Sequence, residues 1–206
     1  MKQLVGILLA AGGSRRFGAD KRRHPLADGT PMILASARHL AEACSRTIVV
    51  IRLGDTALAK LLTAEGVATV VCHAAENGMG HSLSCGIAAS AEADGWLVAL
   101  ADMPYIAPAS YHAILGLLQD GAGLARPTYQ GKIGHPVGFS AKYLPDLLAL
   151  TGDQGGKAIL DAHSDDLRRC ALEDPGILKD VDQLEQVVAG EGDIHLVQPL
   201  GVAMQA

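Results

Sequence analysis

"LVGILLAAGGSRRFGADK", residues 4–21, changes character halfway along. A mostly aliphatic run, 4–10, has the length and composition of a buried strand and empties directly into glycines, paired arginines, an aspartate and a lysine. Such a junction suggests a phosphate loop, of which there are several kinds. A dinucleotide turn requires GxGxxG, and the glycines at 12, 13 and 18 do not fit it. A P-loop requires GxxxxGK followed by Ser or Thr. Gly13 and Gly18 have that spacing, but Ala19 stands where the lysine is needed. The stretch keeps the chemistry without either pattern. Gly12 and Gly13 let backbone N–H groups approach phosphate oxygens, and Arg16 and Lys21 supply fixed charge. The alternative is a solvated basic loop.

Outward from this stretch, aliphatic strands alternate with helical segments. Residues 31–44 read as a helix opened by Pro31, 47–51 as a strand, and 55–66 as a helix stopped by Gly66. Residues 68–72 read as a strand, 81–93 as a helix and 96–101 as another strand. Near-continuous aliphatic strands between helices predict an α/β fold with a Rossmann-like, doubly wound, mostly parallel sheet. After residue 120 the rhythm changes. "YQGK" (129–132) predicts a small β-hairpin insertion. Helices follow near 142–149 and 155–162, a strand at 167–172 and a last helix at 181–190. Without repeat, low-complexity tract or linker, residues 1–206 are expected to form one domain.

Composition narrows the function classes. A net charge of −5 argues against general affinity for nucleic acid, so the basic cluster is local. No segment approaches the about 20 apolar residues of a membrane span, and no signal peptide is evident. Four scattered cysteines without a CxxC pair read as reduced thiols, and a cytoplasmic location is expected. Eight histidines form no HxxxH or HExxH group, so no histidine-based metal site is expected.

In a doubly wound sheet, ligands gather at the carboxyl ends of the strands. Residues 11–21 follow the first strand, and Asp102 follows the strand at 96–101. A carboxylate there beside a triphosphate suits Mg²⁺, which takes one or two carboxylates plus phosphate oxygens. Alternatively Asp102 caps the helix beginning near Pro108.

"LLAAGGSRRFGADK" resembles the LAAGxSxRxGxxK signature of nucleotidyltransferases that move a nucleoside monophosphate from an NTP onto a phosphorylated acceptor. Within that superfamily the chain is similar to the molybdopterin nucleotidyltransferases, particularly their cytidylyltransferase branch. "NGMGHSLSCG" (77–86), "LVALADMP" (97–104), "RPTYQGKIGHPVGF" (126–139), "TGDQGGKAIL" (151–160) and "KDVDQLEQV" (179–187) follow in the same order. Each motif alone is weak, and the ordered set is specific.

The resemblance implies roles. Arg16, Lys21 and Asp102 would carry catalysis. Leu8, Ala10, Ala11, Gly12, Gly13, Ser14, Arg16, Lys21, Gly78, Met79, Gly80, Ser82 and Gly86 would bind the nucleotide. Asp102 and Asp182, with Asp180 as the second candidate from the C-terminal segment, would hold Mg²⁺. Asp182 followed by Glu185 also reads as a capping box. Gly134, His135, Pro136, Gly152, Asp153, Gly155 and Lys157 would face the acceptor. Ala-Ala-Gly after the first strand, where guanylyl-transferring relatives favour Ala-Gly-Gly, leans the base toward CTP over GTP.

The chain departs from the family pattern in three places. Gly80 stands where a serine is usual, Gly156-Lys157 replaces Ala-Arg, and Arg22, Arg23 and His24 follow Lys21 where simpler relatives are apolar. These last three residues are expected either to serve an anion on the acceptor or to be solvated. The implied reaction is transfer of CMP from CTP to the phosphate of molybdopterin or its molybdenum form, with a molybdoenzyme as possible partner. Alternatives are guanylyl transfer, the same chemistry on a sugar or alcohol phosphate, and a non-catalytic nucleotide-binding chaperone of a molybdoenzyme.

Overall fold

The computed structural model describes residues 2–12 and 20–181. Its centre is β1 (Leu4–Leu9), buried along its whole length because both faces are covered. Leu4 and Leu8 pack into one core layer, and Val5, Ile7 and Leu9 into the other. That two-sided burial is why the strand is continuously aliphatic rather than alternating.

β2 (Arg46–Arg52) and β4 (Gly95–Leu100) flank β1 in parallel, and β3 (Ala68–Cys72) pairs parallel with β2. α1 (Met32–Ala43), α2 (Thr56–Ala64) and α3 (Met79–Ala88) connect them. α4 (Pro108–Gln119) then leads into β5 (Leu124–Tyr129), β6 (Lys132–Ile133) and β7 (Val137–Ser140). α5 (Leu144–Leu148), α6 (Lys157–Ala162) and β8 (Leu167–Ala171) complete the described elements. The eight-stranded sheet runs β3-β2-β1-β4-β7-β5-β6, with β8 paired to β5. β7 is antiparallel to both β4 and β5, so the sheet is mixed but mostly parallel, as expected for a Rossmann-like α/β fold. Chain order reverses between β1 and β4, which opens a crevice at their carboxyl ends.

Two glycines set the helix–sheet distance. A Cβ on Gly6 would lie 2.8 Å from Leu40 Cγ of α1, and one on Gly86 2.8 Å from methyl carbons of Ile7 and Val50. Gly86, expected at the nucleotide, lies within α3 on the side that packs against the sheet.

The helix expected over 81–93 starts earlier and stops sooner. Ser90 Oγ donates to the Gly86 carbonyl at 3.1 Å and accepts the Trp96 indole N–H at 3.0 Å, turning the chain into β4. The predicted hairpin forms between β5 and β6. Gln130 and Gly131 both have positive φ, 48° and 78°, which a two-residue turn of this twist requires. The helix expected at 181–190 lies outside the described residues.

α4 has an unexpected cap. Asp174 Oδ2 accepts from the Ala107 N–H at 2.9 Å and from Ser110 Oγ at 2.6 Å, while Oδ1 accepts from the Gly176 N–H at 2.8 Å. Asp102 is therefore not the cap of this helix. Asp174→Ala removes both acceptor oxygens and all three hydrogen bonds and is expected to lower stability by about 1–2 kcal/mol, read as a shift in the urea midpoint at constant slope.

Candidate functional site

The crevice is a cleft of about 1360 Å³ at the carboxyl ends of β1 and β4. β1 runs out through Ala10, whose N–H still reaches the Val50 carbonyl at 2.9 Å, to Ala11 and Gly12. All three line the cleft. A Cβ on Gly12 would meet no protein atom within 4 Å, so packing among the described residues does not demand glycine there. The missing side chain leaves the backbone bare toward the cavity. Leu8 is fully buried in the core behind it.

From the far end of the loop, Lys21 reaches across the cleft. Its Nζ donates to Asp102 Oδ2 at 2.9 Å and to the Val181 carbonyl at 3.0 Å. The side chains are 14% and 29% exposed, so the pair is neither buried nor fully solvated. Val181 in turn donates its N–H to the Asp102 carbonyl at 2.8 Å. Loop, strand end and C-terminal segment thus converge on Asp102. Asp180 is exposed beside this junction. Gly13, Ser14, Arg16 and Asp182 lie outside the described residues.

Arg22 is neither solvated nor directed at a ligand, correcting the expectation for the Arg-Arg-His run. It is 3% exposed. Its Nη1 donates to the Ala10 carbonyl at 2.6 Å and to Asp55 Oδ2 at 2.6 Å, and its Nη2 to Asp55 Oδ1 at 2.9 Å. Asp20 takes a second fork from Nε and Nη2 at 2.7 and 2.8 Å. A planar guanidinium with five donors suits such a junction, and lysine would not. Arg23 is exposed.

The hydrogen bond from Arg22 holds the Asp20 carboxyl below its ordinary range, against burial. At Asp55 burial acts upward, but hydrogen bonds and charge from Arg22, with Arg52, bring the net shift down. Carboxylates held low contribute stability that is present above their ordinary pKa and lost as pH falls through the folded value.

The glycine loop before α3 meets the acceptor loop directly. The Gly80 N–H donates to the Gly152 carbonyl at 2.7 Å, and the Gly152 N–H to His81 Nδ1 at 3.3 Å. Gly78 has φ 124°, and a Cβ there would collide with the Gly152 carbonyl. The close approach at Gly78 and Gly80 is thus made by protein backbone. Gly78, Met79, Ser82 and Asp153 share the cleft with Ala10 and Asp102. Gly155 packs against Met79, and Lys157 is exposed at the start of α6.

The Gly134-His135-Pro136 turn lies within electrostatic reach of Asp102 but outside the cleft lining. The His135 N–H donates to the Ile177 carbonyl at 3.0 Å, and the peptide bond before Pro136 is cis. Burial and the neighbouring Arg126 charge push the imidazole down to about 4, with Asp102 pulling the other way. His135 is therefore neutral near pH 7.

A divalent cation fits this donor set. Asp102 offers a hard carboxylate oxygen at the cleft, and the segment beginning at Asp180 is pinned against it. No three His, Cys, Asp or Glu side chains converge among the described residues, here or elsewhere, so a cation at Asp102 would draw on phosphate oxygens as well as protein. No helix among them is long and apolar enough to cross a membrane.

Gly12, Lys21 and the strand-end Asp102 thus meet at the switch point of a Rossmann-like sheet. The family model described as "MobA-like NTP transferase domain" matches residues 6–167, and the chain belongs to that family. It is 31% identical over 195 residues to the purine catabolism protein PucB of Bacillus subtilis, covering 89% of this chain and 93% of that protein. Among solved structures it is similar to Rv0371c of Mycobacterium tuberculosis, with TM-score 0.78, 27% identity and coverage of 90% of this chain and 95% of that one. Rv0371c in complex with manganese matches with TM-score 0.69 and 25% identity, covering 82% and 88%.

Sequence reading missed Asp20 and Arg52 at the cleft and Asp55 as the carboxylate that pairs with both Arg22 and Arg52. The one available signal was Asp55 following a strand at the sheet edge that carries Asp102.

Two outcomes test this description. Arg22→Met leaves Asp20 without its ion-pair partner and Asp55 with Arg52 alone, and is expected to cost about 3 kcal/mol, read as a drop in Tm that shrinks as pH falls through the carboxylate range. NMR titration of His135 is expected to give a midpoint near 4. Because that value lies below the ordinary 6.5, its contribution to stability is fully present above about pH 6.5 and lost as pH falls toward 4. A midpoint near 6.5 contradicts the burial.

Proposed function

We propose that residues 1–206 act as one cytidylyltransferase unit, moving CMP from CTP to the phosphate of molybdopterin or its molybdenum form. The observation that carries this reading is the junction of Lys21, Asp102 and Val181 beside the bare backbone of Gly12. Family membership supports nucleotide transfer, and Ala11 at the cleft wall supports the smaller base.

The acceptor's phosphate oxygen attacks the α-phosphorus of CTP. The bond from that phosphorus to the oxygen bridging the β-phosphorus breaks, and pyrophosphate leaves with the electron pair. A phosphomonoester is mostly ionised near neutral pH, so its attacking oxygen needs no general base. Neutral His135 is accordingly suited to hydrogen bonding rather than to proton abstraction. Lys21 and Arg16 offset charge on the triphosphate and on the leaving group, and backbone N–H groups at Gly12 and Gly13 orient it. Asp102, with Asp182 or Asp180, would hold Mg²⁺, which when bound neutralises phosphate charge and polarises the α-phosphoryl group. The manganese complex of Rv0371c supports divalent metal use in this group of proteins. The name of the Bacillus relative ties that protein to purine catabolism; carried over, it would make the partner molybdoenzyme one acting on purines.

Pyrophosphate release from CTP and from GTP, with molybdopterin as acceptor, tests the proposal. CTP is expected to be the better donor, and Asp102→Ala to lower turnover by about a hundredfold or more without lowering Tm. Equal or faster release from GTP overturns the base assignment. Nucleotide binding without release on any phosphorylated acceptor overturns the catalytic reading.

A further inference from the structure

Past His135, the sheet carries a pair of arginines that the nucleotide cleft does not use. β5 and β8 run parallel, and their register places Arg126 beside Arg169. Register neighbours project to the same face. Here it is the face where Leu124 and Leu167 pack with Ile159 and Leu160 of α6. The Arg126 guanidinium extends to the Gly134 carbonyl, where Nε and Nη2 donate at 3.1 and 3.0 Å. That carbonyl belongs to the turn bearing His135, which lies within electrostatic reach of both Arg126 and Asp102.

Arg126 is half-buried, yet no ion pair engages it among the described residues. Asp161 of α6 acts on Arg126 electrostatically without a hydrogen bond or ion pair to it, and Arg169 adds a like charge. One carbonyl occupies two of five donors, leaving Nη1 without a protein acceptor among the described residues. A partly buried cation beside a second cation, with no carboxylate in contact, is costly unless an anion completes it. Two adjacent guanidinium groups suit a dianion, and their fork geometry suits phosphate oxygens.

We infer that Arg126 and Arg169 form an anion subsite beside the Gly134–Pro136 turn that takes the phosphomonoester group of the acceptor. This deepens the acceptor half of the proposed reaction and rests on that reading.

Isothermal titration of the full chain with phenyl phosphate, with and without saturating CTP, tests it. Arg126→Met and Arg169→Met are each expected to weaken phenyl phosphate binding about tenfold or more while leaving CTP affinity within about twofold. Arg169 is exposed, so its variant decides the matter if Arg126→Met does not fold. Undiminished phenyl phosphate affinity in either folded variant overturns the subsite, as does a wild-type chain that binds none. A parallel loss of CTP and phenyl phosphate affinity in Arg126→Met also overturns it, because the arginine would then only brace the Gly134 turn. If the wild type fails to bind CTP, the cytidylyl reading falls, while the titrations without nucleotide still decide the subsite.

Discussion

Burial on both faces of β1 and β4 is the constraint from which the rest of the molecule follows. A strand covered by helices above and below has no room along its length for groups that must meet water or substrate. Polar chemistry is driven to the strand ends, and the reversal of chain order between β1 and β4 keeps their two exits from being covered by one crossover. Ala10–Gly12 and Asp102 meet at one cleft because each is the first opportunity after a fully apolar strand.

The cost of that arrangement appears at the rim. Beyond β1 the described chain, Ala10–Gly12, offers only small side chains with which to hold itself. Arg22 holds it by bonding the Ala10 carbonyl and two carboxylates at once, so a buried charge fixes the base of the loop. On the opposite side Asp174 ties the start of α4 to the segment leading toward Val181. Both devices are charge-assisted, directional and distant in sequence from what they position.

The alternation of aliphatic runs made the sheet legible from the residues alone. The strand at 68–72 coincides with its prediction, and the strands at 47–51 and 96–101 shift by a residue at their ends. Backbone punctuation was legible too, as at Gly66 and the Gln130-Gly131 turn. Of the candidate site, the strand-end positions of Gly12, Lys21 and Asp102 followed from the same pattern. What the pattern hid were partnerships across long separations. Arg22 reads as one more surface cation until Asp55 is placed beside it, because nothing local distinguishes a buried arginine from an exposed one. Asp174 caps the short 3-10 turn Pro175–Leu178 that follows it, and nothing local announces that it also holds the start of α4. The contact between Gly80 and Gly152 joins two motifs that a linear reading assigns to different ligands.

The bond from the Val181 N–H to the Asp102 carbonyl has a consequence for how the molecule comes into being on the ribosome. The four parallel strands β1–β4 are complete in sequence by residue 100, but both core layers also draw on residues between Met103 and Ile177. Lys21 and Asp102 are thus both translated while roughly half the chain is still unsynthesised. The strap that pins them is translated some eighty residues later, so cleft and core are completed by the same late part of the chain.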